Sequence, residues 1–158
     1  MQPTGRTVRI VRLVAAVLVA AAVLGGCSSS DDAAPTSNGG LTQSEFSVRV
    51  RTTSVGKVLV DRSGRTLYVY TPDGTGAPRC PDSCAGAWPP VAAEKDLPAG
   101  KGVTAKVGQV KGESGDPQLT VAGQPVYRFG GDVAPGDVRG QGQGGVWFVL
   151  DPTGAPVR

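Results

Sequence analysis

Two aspartates and three cysteines carry most of the chemistry this sequence could perform. Asp73 and Asp132 each end one copy of a repeated motif, Tyr68-Val69-Tyr70-Thr71-Pro72-Asp73 and Tyr127-Arg128-Phe129-Gly130-Gly131-Asp132. Carboxylates repeated in this way could meet across a symmetric fold, and a pair about 5 to 9 Å apart can cleave a glycosidic bond. The competing reading is that each carboxylate caps its own turn, beside Gly74 in one copy and Gly131 in the other. Asp132, Asp137 and the carbonyls of the adjoining Gly-rich loop are also hard oxygen donors of the kind calcium takes, but no EF-hand or nonapeptide calcium repeat is present. We expect turn capping, with no catalytic residue and no resident metal or cofactor.

Histidine is absent altogether. That removes Ser-His and Cys-His nucleophile systems, haem held by histidine, and imidazole zinc sites. A metal site built on Cys80 and Cys84 would need carboxylates to complete it, an unusual set for a soft metal. The Gly-rich run from Gly140 to Gly145 lacks the Gly-Lys-Ser/Thr of a phosphate loop and leads into a strand rather than a helix.

The cysteines divide by position. Arg6, Arg9 and Arg12 precede an apolar run from Leu13 to Leu24, and Leu24-Gly25-Gly26-Cys27 follows. A basic start, a short apolar stretch and small residues before a cut site make a secretory signal peptide over residues 1–26. The apolar run is shorter than the roughly 20 residues a membrane span requires. The Leu-Gly-Gly-Cys ending resembles a bacterial lipobox, in which the Cys27 thiol receives a diacylglyceryl group and becomes the first residue after cleavage. Two acyl chains hold stably to a bilayer, since each buried CH₂ is worth about 0.8 kcal/mol. Cys80 and Cys84 then remain as an even pair in an exported protein, where disulfides persist. Their spacing is not the C-x-x-C of a redox pair, so they read as a staple. A loop this short stabilises by only about 2 kcal/mol, so the bond serves to fix the approach of Trp88.

The leader also distorts the charge balance. The chain has 16 basic and 13 acidic groups, and three of the basic ones lie in the leader, leaving 13 against 13. A neutral mature protein gives no warrant for nucleic-acid binding. Residues 27–44 comprise the lipidated cysteine and a stretch of mostly Ser, Asp, Ala, Gly, Asn and Thr, the composition of a flexible tether. Residues 45–158 are of single-domain size, which we expect to be monomeric.

Within that domain the aromatic residues set the organisation. Of two Trp, three Tyr and three Phe, only Phe46 and Phe148 stand apart from a repeat with an offset of 59 residues. Tyr68 falls on Tyr127, Tyr70 on Phe129 and Trp88 on Trp147, and Gly64 falls on Gly123 in the same alignment. Two copies of one supersecondary unit follow, over about 56–91 and 115–150. Exposed, the six aromatics would offer a bivalent surface for sugars or peptides. With few other large residues to build a core, packing is the stronger expectation, with one or two members left accessible.

The elements that must hold these residues are strands. Phe46 to Arg51 alternates apolar and polar, the pattern of a half-buried strand. Lys57–Asp61 and Arg65–Tyr70 flank Arg62-Ser63-Gly64 as a hairpin, and Gln118–Ala122 and Gln124–Phe129 repeat it about Gly123. Period two puts Tyr68 and Tyr70 on one face and Leu67 and Val69 on the other, which suits a central strand. One helical turn is expected over Asp82–Ala87, with strands at Thr104–Lys111, Val146–Leu150 and Ala155–Arg158. No sustained helical period appears, so the class is all-β: a small barrel, sandwich or propeller-like arrangement of hairpins.

Several ordered motifs together resemble a known group. They are Gly56-Lys57-Val58-Leu59-Val60-Asp61, Gly64-Arg65-Thr66-Leu67-Tyr68, Cys84-Ala85 before Trp88-Pro89-Pro90, Gly123-Gln124-Pro125-Val126-Tyr127 and Gly140-Gln141-Gly142 before Trp147. With the two aromatic motifs ending in Asp73 and Asp132, they are similar to predicted bacterial lipoproteins bearing a Y-x-[FWY]-x-x-D motif, a secreted-repeat family of unknown function. The resemblance implies export, lipid attachment (a palmitate-bearing membrane anchor) at Cys27 and a two-repeat fold, and names no substrate. Some relatives carry His after the second Trp, where this chain has Phe148. The function expected is therefore a lipid-anchored module on the outer face of the cell membrane that binds an envelope ligand or serves structurally. The alternatives are an envelope glycan hydrolase using Asp73 and Asp132, or a calcium- or redox-linked envelope protein.

Overall fold

Alternating apolar residues and frequent glycine turns give a domain of short strands. The structure, a computed structural model, describes residues 46–96 and 98–158. The expected signal peptide over 1–26, the expected lipidation site Cys27 and the expected tether to residue 44 lie outside the described residues. Seven strands are present among those described: β1 (Val48–Thr53), β2 (Gly56–Asp61), β3 (Tyr68–Tyr70), β4 (Val107–Lys111), β5 (Pro117–Val121), β6 (Gln124–Tyr127) and β7 (Trp147–Val149). One short helix, α1 (Asp82–Ala85), falls where a single turn was expected. The fold is all-β and is built as two sheets, β1-β2 and β4-β5-β6-β3-β7.

The repeat is written into the pairing. β3 and β6 run antiparallel with Tyr68 opposite Tyr127 and Val69 opposite Val126, so the two motif strands meet about a local two-fold. Tyr68 also lies opposite Val149 of β7, and Tyr127 lies opposite Pro90 in an isolated bridge. Pro90 and Val149 are themselves 59 residues apart, so the Trp88-Pro89-Pro90 segment is the first repeat's version of β7. β4, whose role the sequence leaves open, is the counterpart of β1: each pairs antiparallel with the next strand of its own repeat.

The two hairpins of the repeat differ from the expected ones in an informative way. In the first, a single bridge of Val60 with Thr66 is closed by two bonds, Asp61 N–H to the Arg65 carbonyl and Leu67 N–H to the Leu59 carbonyl, and no longer ladder forms. β2 is occupied by β1, and both edges of β3 are taken by β6 and β7, so pairing with the other repeat displaces pairing within this one. In the second repeat, β5 and β6 do form a hairpin, with Val121 opposite Gln124. Its two-residue turn places Ala122 at φ 50° and Gly123 at φ 77°. Positive φ at both positions matches the twist of paired strands, at some steric cost at the alanine. The last expected strand is reduced to a bridge between Leu150 and Pro156 and a bond from Val157 N–H to the Val149 carbonyl.

Period two along β3 divides the interior. Leu67 and Val69 join an aliphatic cluster with Val48, Leu59, Leu119, Val121, Val126 and Leu150. Tyr68 faces the other way, into an aromatic cluster with Tyr127, Trp88, Trp147 and Cys80. Both faces of the strand are buried, as a central strand requires.

Candidate functional site

The aromatic cluster and the two motif aspartates form one connected site. Pro72 fixes the first turn after β3, and residues Thr71–Asp73 close as a 3₁₀ turn that carries Asp73 inward to 5% exposure. Its Oδ1 accepts the Arg79 N–H at 2.7 Å. Its Oδ2 accepts the Tyr127 hydroxyl at 2.6 Å, from the other repeat. Asp132, 2% exposed, is used in the same way. Its Oδ1 accepts the Arg139 N–H at 2.9 Å, and its Oδ2 accepts the Tyr68 hydroxyl at 2.8 Å. The tyrosine of each repeat is thus bonded to the aspartate of the other.

This corrects the expectation of turn capping. Neither carboxylate caps the tight turn beside its glycine; each closes a longer loop through one backbone N–H and reaches across the repeat boundary with its other oxygen. The compact caps belong to Asp61 and Asp151. Asp61 Oδ1 accepts Ser63 N–H, Ser63 hydroxyl and Arg65 N–H, and Asp151 Oδ1 accepts the corresponding three groups of Thr153 and Ala155. The shared sequence Asp-x-Ser/Thr-Gly is the signal for that turn.

Burial dominates the electrostatics. Loss of solvent raises the pKa of Asp73 above the usual carboxylate value, against the lowering effect of the Tyr127 hydroxyl, the Arg79 N–H and the Arg79 charge. Asp132 is raised for the same first reason, with Asp137 adding to the rise, while Tyr68, Arg139 N–H and Arg65 oppose it. Tyr68 and Tyr127 are both raised, first by burial and then by the carboxylate each one faces, so they stay protonated donors. The Arg65 guanidinium donates to the Asp132 carbonyl and Thr66 Oγ1 to the Asp137 carbonyl at 2.6 Å, tying the second loop to the first repeat.

The six aromatics pack as the repeat dictates. Trp88 and Trp147 stack in parallel with centroids 3.9 Å apart. Tyr68 meets Trp88 edge-on at 5.3 Å, and Tyr127 meets Trp147 edge-on at 5.2 Å. Phe129 tilts over Trp88 at 4.5 Å, and Tyr70 over Trp147 at 4.7 Å. Four members are buried, while Tyr70 and Phe129 are half-buried at the margin. Gly140 is forced by this packing, since a Cβ there would lie 2.7 Å from Trp88 Cη2 and 3.0 Å from Tyr68 Cε1.

Cys80 and Cys84 stand as a disulfide pair with Cα atoms 6.0 Å apart. Cys84 lies within α1, and the Trp88 backbone N–H donates to its carbonyl at 2.8 Å. Asp137, weighed above for calcium, accepts N–H groups of Val133 and Ala134 and lies 3.4 Å from Arg139. Among the described residues, no group of three or more Cys, Asp or Glu side chains is placed to hold a metal.

Sequence reasoning missed several positioning residues. The Gln141 side chain accepts Val149 N–H at 2.8 Å and donates to the Val157 carbonyl at 2.7 Å, bracing β7. Gln118, also buried, donates to the Val126 carbonyl at 3.2 Å. Arg128 pairs with the buried Asp61 at 2.6 Å, another bond between repeats. Their types alone do not announce these roles: the two glutamines reach backbone groups further along the chain, and Arg128 reaches a carboxylate in the other repeat.

Chemically, the arrangement presents no free carboxylate oxygen from either motif aspartate. General acid or base work needs such an oxygen within hydrogen-bond reach of a substrate. The comparisons with known proteins bear on the repeat. A family described as a secreted repeat of unknown function matches twice, at residues 49–92 and 108–151. The two segments stand at the same 59-residue offset and take in β1 and β4, which our shorter units left out. No curated protein and no solved structure matches the chain.

Proposed function

The chain belongs to that secreted-repeat family, and on this footing we propose that it is a lipid-anchored envelope lipoprotein acting as a non-enzymatic binding or structural module. Residues 1–26 are the export signal, Cys27 bears the diacylglyceryl group, and the tether to residue 44 holds the domain off the outer face of the cell membrane. The protein works as a monomer, without cofactor and without nucleic acid. Its partner is an envelope component.

The observation that carries the non-enzymatic reading is the crossed bonding of the motif. Both oxygens of Asp73 and of Asp132 are engaged by protein donors, and both side chains are buried. A glycosidase would need these carboxylates facing a shared cleft, with one of them open to water or sugar. The anchor rests on the Leu24-Gly25-Gly26-Cys27 ending and on the secreted character of the family. Among the described residues, no helix is long and apolar enough to cross a membrane.

Fractionation of cells expressing Cys27→Ala tests the anchor. The variant should leave the membrane fraction or accumulate unprocessed, and it should take up no labelled fatty acid. Membrane retention with label still incorporated would defeat the proposal.

A further inference from the structure

We propose that the cleft between the disulfide loop of the first repeat and the β4–β5 turn of the second is the ligand site, and that it takes a peptide segment presenting a lysine side chain. The inference rests on the reading of the protein as a binding module and names the class of ligand for it.

The two repeats share the aromatic cluster but not what covers its ends. One set of valines, Val55, Val138, Val146 and Val157, packs against the cluster from outside. Val55 belongs to the β1–β2 connection, which is only Ser54-Val55. The matching β4–β5 connection is longer, Gly112-Glu113-Ser114-Gly115-Asp116, and carries no large apolar side chain. The end that Val55 covers in one half is therefore left open in the other.

What opens there is a cleft of about 340 Å³. That lies within the range of small-ligand sites, about 300 to 1,000 Å³. Trp88, Pro90 and Tyr127 form its apolar wall, close to Cys80, with Glu113, Ser114 and Asp116 at the rim. The features unique to each repeat, the disulfide loop and the acidic turn, meet at this one place.

Charge selects the occupant. Among the described residues no Lys or Arg lines the cleft, while Glu113 and Asp116 are both exposed at its rim. Asp116 accepts the Ser114 hydroxyl at 3.2 Å, and neither acid forms an ion pair among the described residues. Two unneutralised carboxylates in front of an apolar wall fit a cation on an apolar stem. A lysine side chain is built that way: its methylenes lie on apolar surface while its ammonium reaches the acids. An anionic glycan or phosphate would be repelled.

Isothermal titration of the full-length protein with an acetylated Ala-Ala-Lys amide peptide tests this, beside the same peptide carrying Nε-acetyl-lysine. The wild type should bind the lysine peptide, more weakly as salt is raised. Acetylation, or the double change Glu113→Gln with Asp116→Asn, should each weaken binding about tenfold or more, equivalent to about 1.4 kcal/mol. Circular dichroism of the double variant should be unchanged, because both side chains are exposed. Equal binding by wild type and double variant would refute the cleft while leaving a binding module with its site elsewhere. No binding by the wild type would also refute the lysine-peptide proposal, and the module reading would then be judged by the anchor and glycan tests alone.

Discussion

Tyr68 in the first repeat donates its hydroxyl to Asp132 in the second at 2.8 Å, inside the protein and away from solvent. The bond between Tyr127 and Asp73 mirrors it. A motif that reads in sequence as tyrosine followed by aspartate five positions later thus never closes on itself. It closes on its copy, which makes two repeats the smallest unit able to satisfy it.

Trp88→Ala should be among the most damaging single changes. It removes the stacking partner of Trp147 and the edge contact with Tyr68. Large-to-small changes at buried Trp typically cost about 3 to 5 kcal/mol, and denaturant unfolding should show a loss of that size. The local symmetry predicts a similar figure for Trp147→Ala.

Gly140→Ala should destabilise although it adds a single methyl. The methyl would collide with Trp88 and Tyr68, neither of which has room to retreat. Overpacking of this kind costs about 1 to 3 kcal/mol, measurable as a lowered melting temperature. Gly142→Ala, with no atom near its Cβ position, should show less steric cost, its φ of 75° being the main penalty.

Acid should strengthen the contribution of the motif aspartates. Burial raises both above their unfolded values. Their contribution is therefore fully present below the unfolded carboxylate pKa, about 3.9, and is lost as pH rises through the folded values. Asp137 and Asp151 are lowered in the folded protein and act in the opposite sense, so the test is a difference. Stability of the wild type minus that of a double variant, Asp73→Asn with Asp132→Asn, should fall as pH is raised from acid to neutral. A difference that rises over this range would contradict the assignment.

Reducing the Cys80–Cys84 bond should cost little, about 2 kcal/mol from the entropy of so short a loop. The larger consequence should be local: the fluorescence of Trp88 should change, because its N–H is held by the Cys84 carbonyl. Intact mass should show the exported protein two hydrogens lighter than its reduced form. Free thiols that alkylate readily would revive a redox role.

The sequence displayed the repeat because aromatic residues are scarce and their offset is fixed by packing. It displayed β-structure because Leu67, Tyr68, Val69 and Tyr70 alternate between two buried clusters. It could not display which strands meet. The partners of β3 lie 57 to 81 residues away in the chain, and only the symmetric register of Tyr68 with Tyr127 selects them over the nearer β2. The aspartates read as turn caps for a related reason: Asp beside Gly, as in Asp73-Gly74 and Gly131-Asp132, is a local turn signal, and the stronger pull of a buried tyrosine hydroxyl from the other repeat is invisible at short range. The cleft escaped notice because it arises where the repeats cease to match.

If the motif were catalytic, envelope glycan turnover should disappear in both Asp73→Asn and Asp132→Asn while the fold persists. We expect no such turnover in the wild type to lose.

Equilibrium unfolding of Tyr68→Phe and Tyr127→Phe tests the central claim most directly. Each change removes one hydroxyl and leaves a buried carboxylate oxygen without its donor. Hydrogen bonds to charged groups are worth about 1.5 to 3 kcal/mol, and each variant should lose that much, by similar amounts for the two. Variants as stable as the wild type, or stable variants that had lost an enzymatic activity, would show that the crossed tyrosine–aspartate pairs do not hold the repeats together.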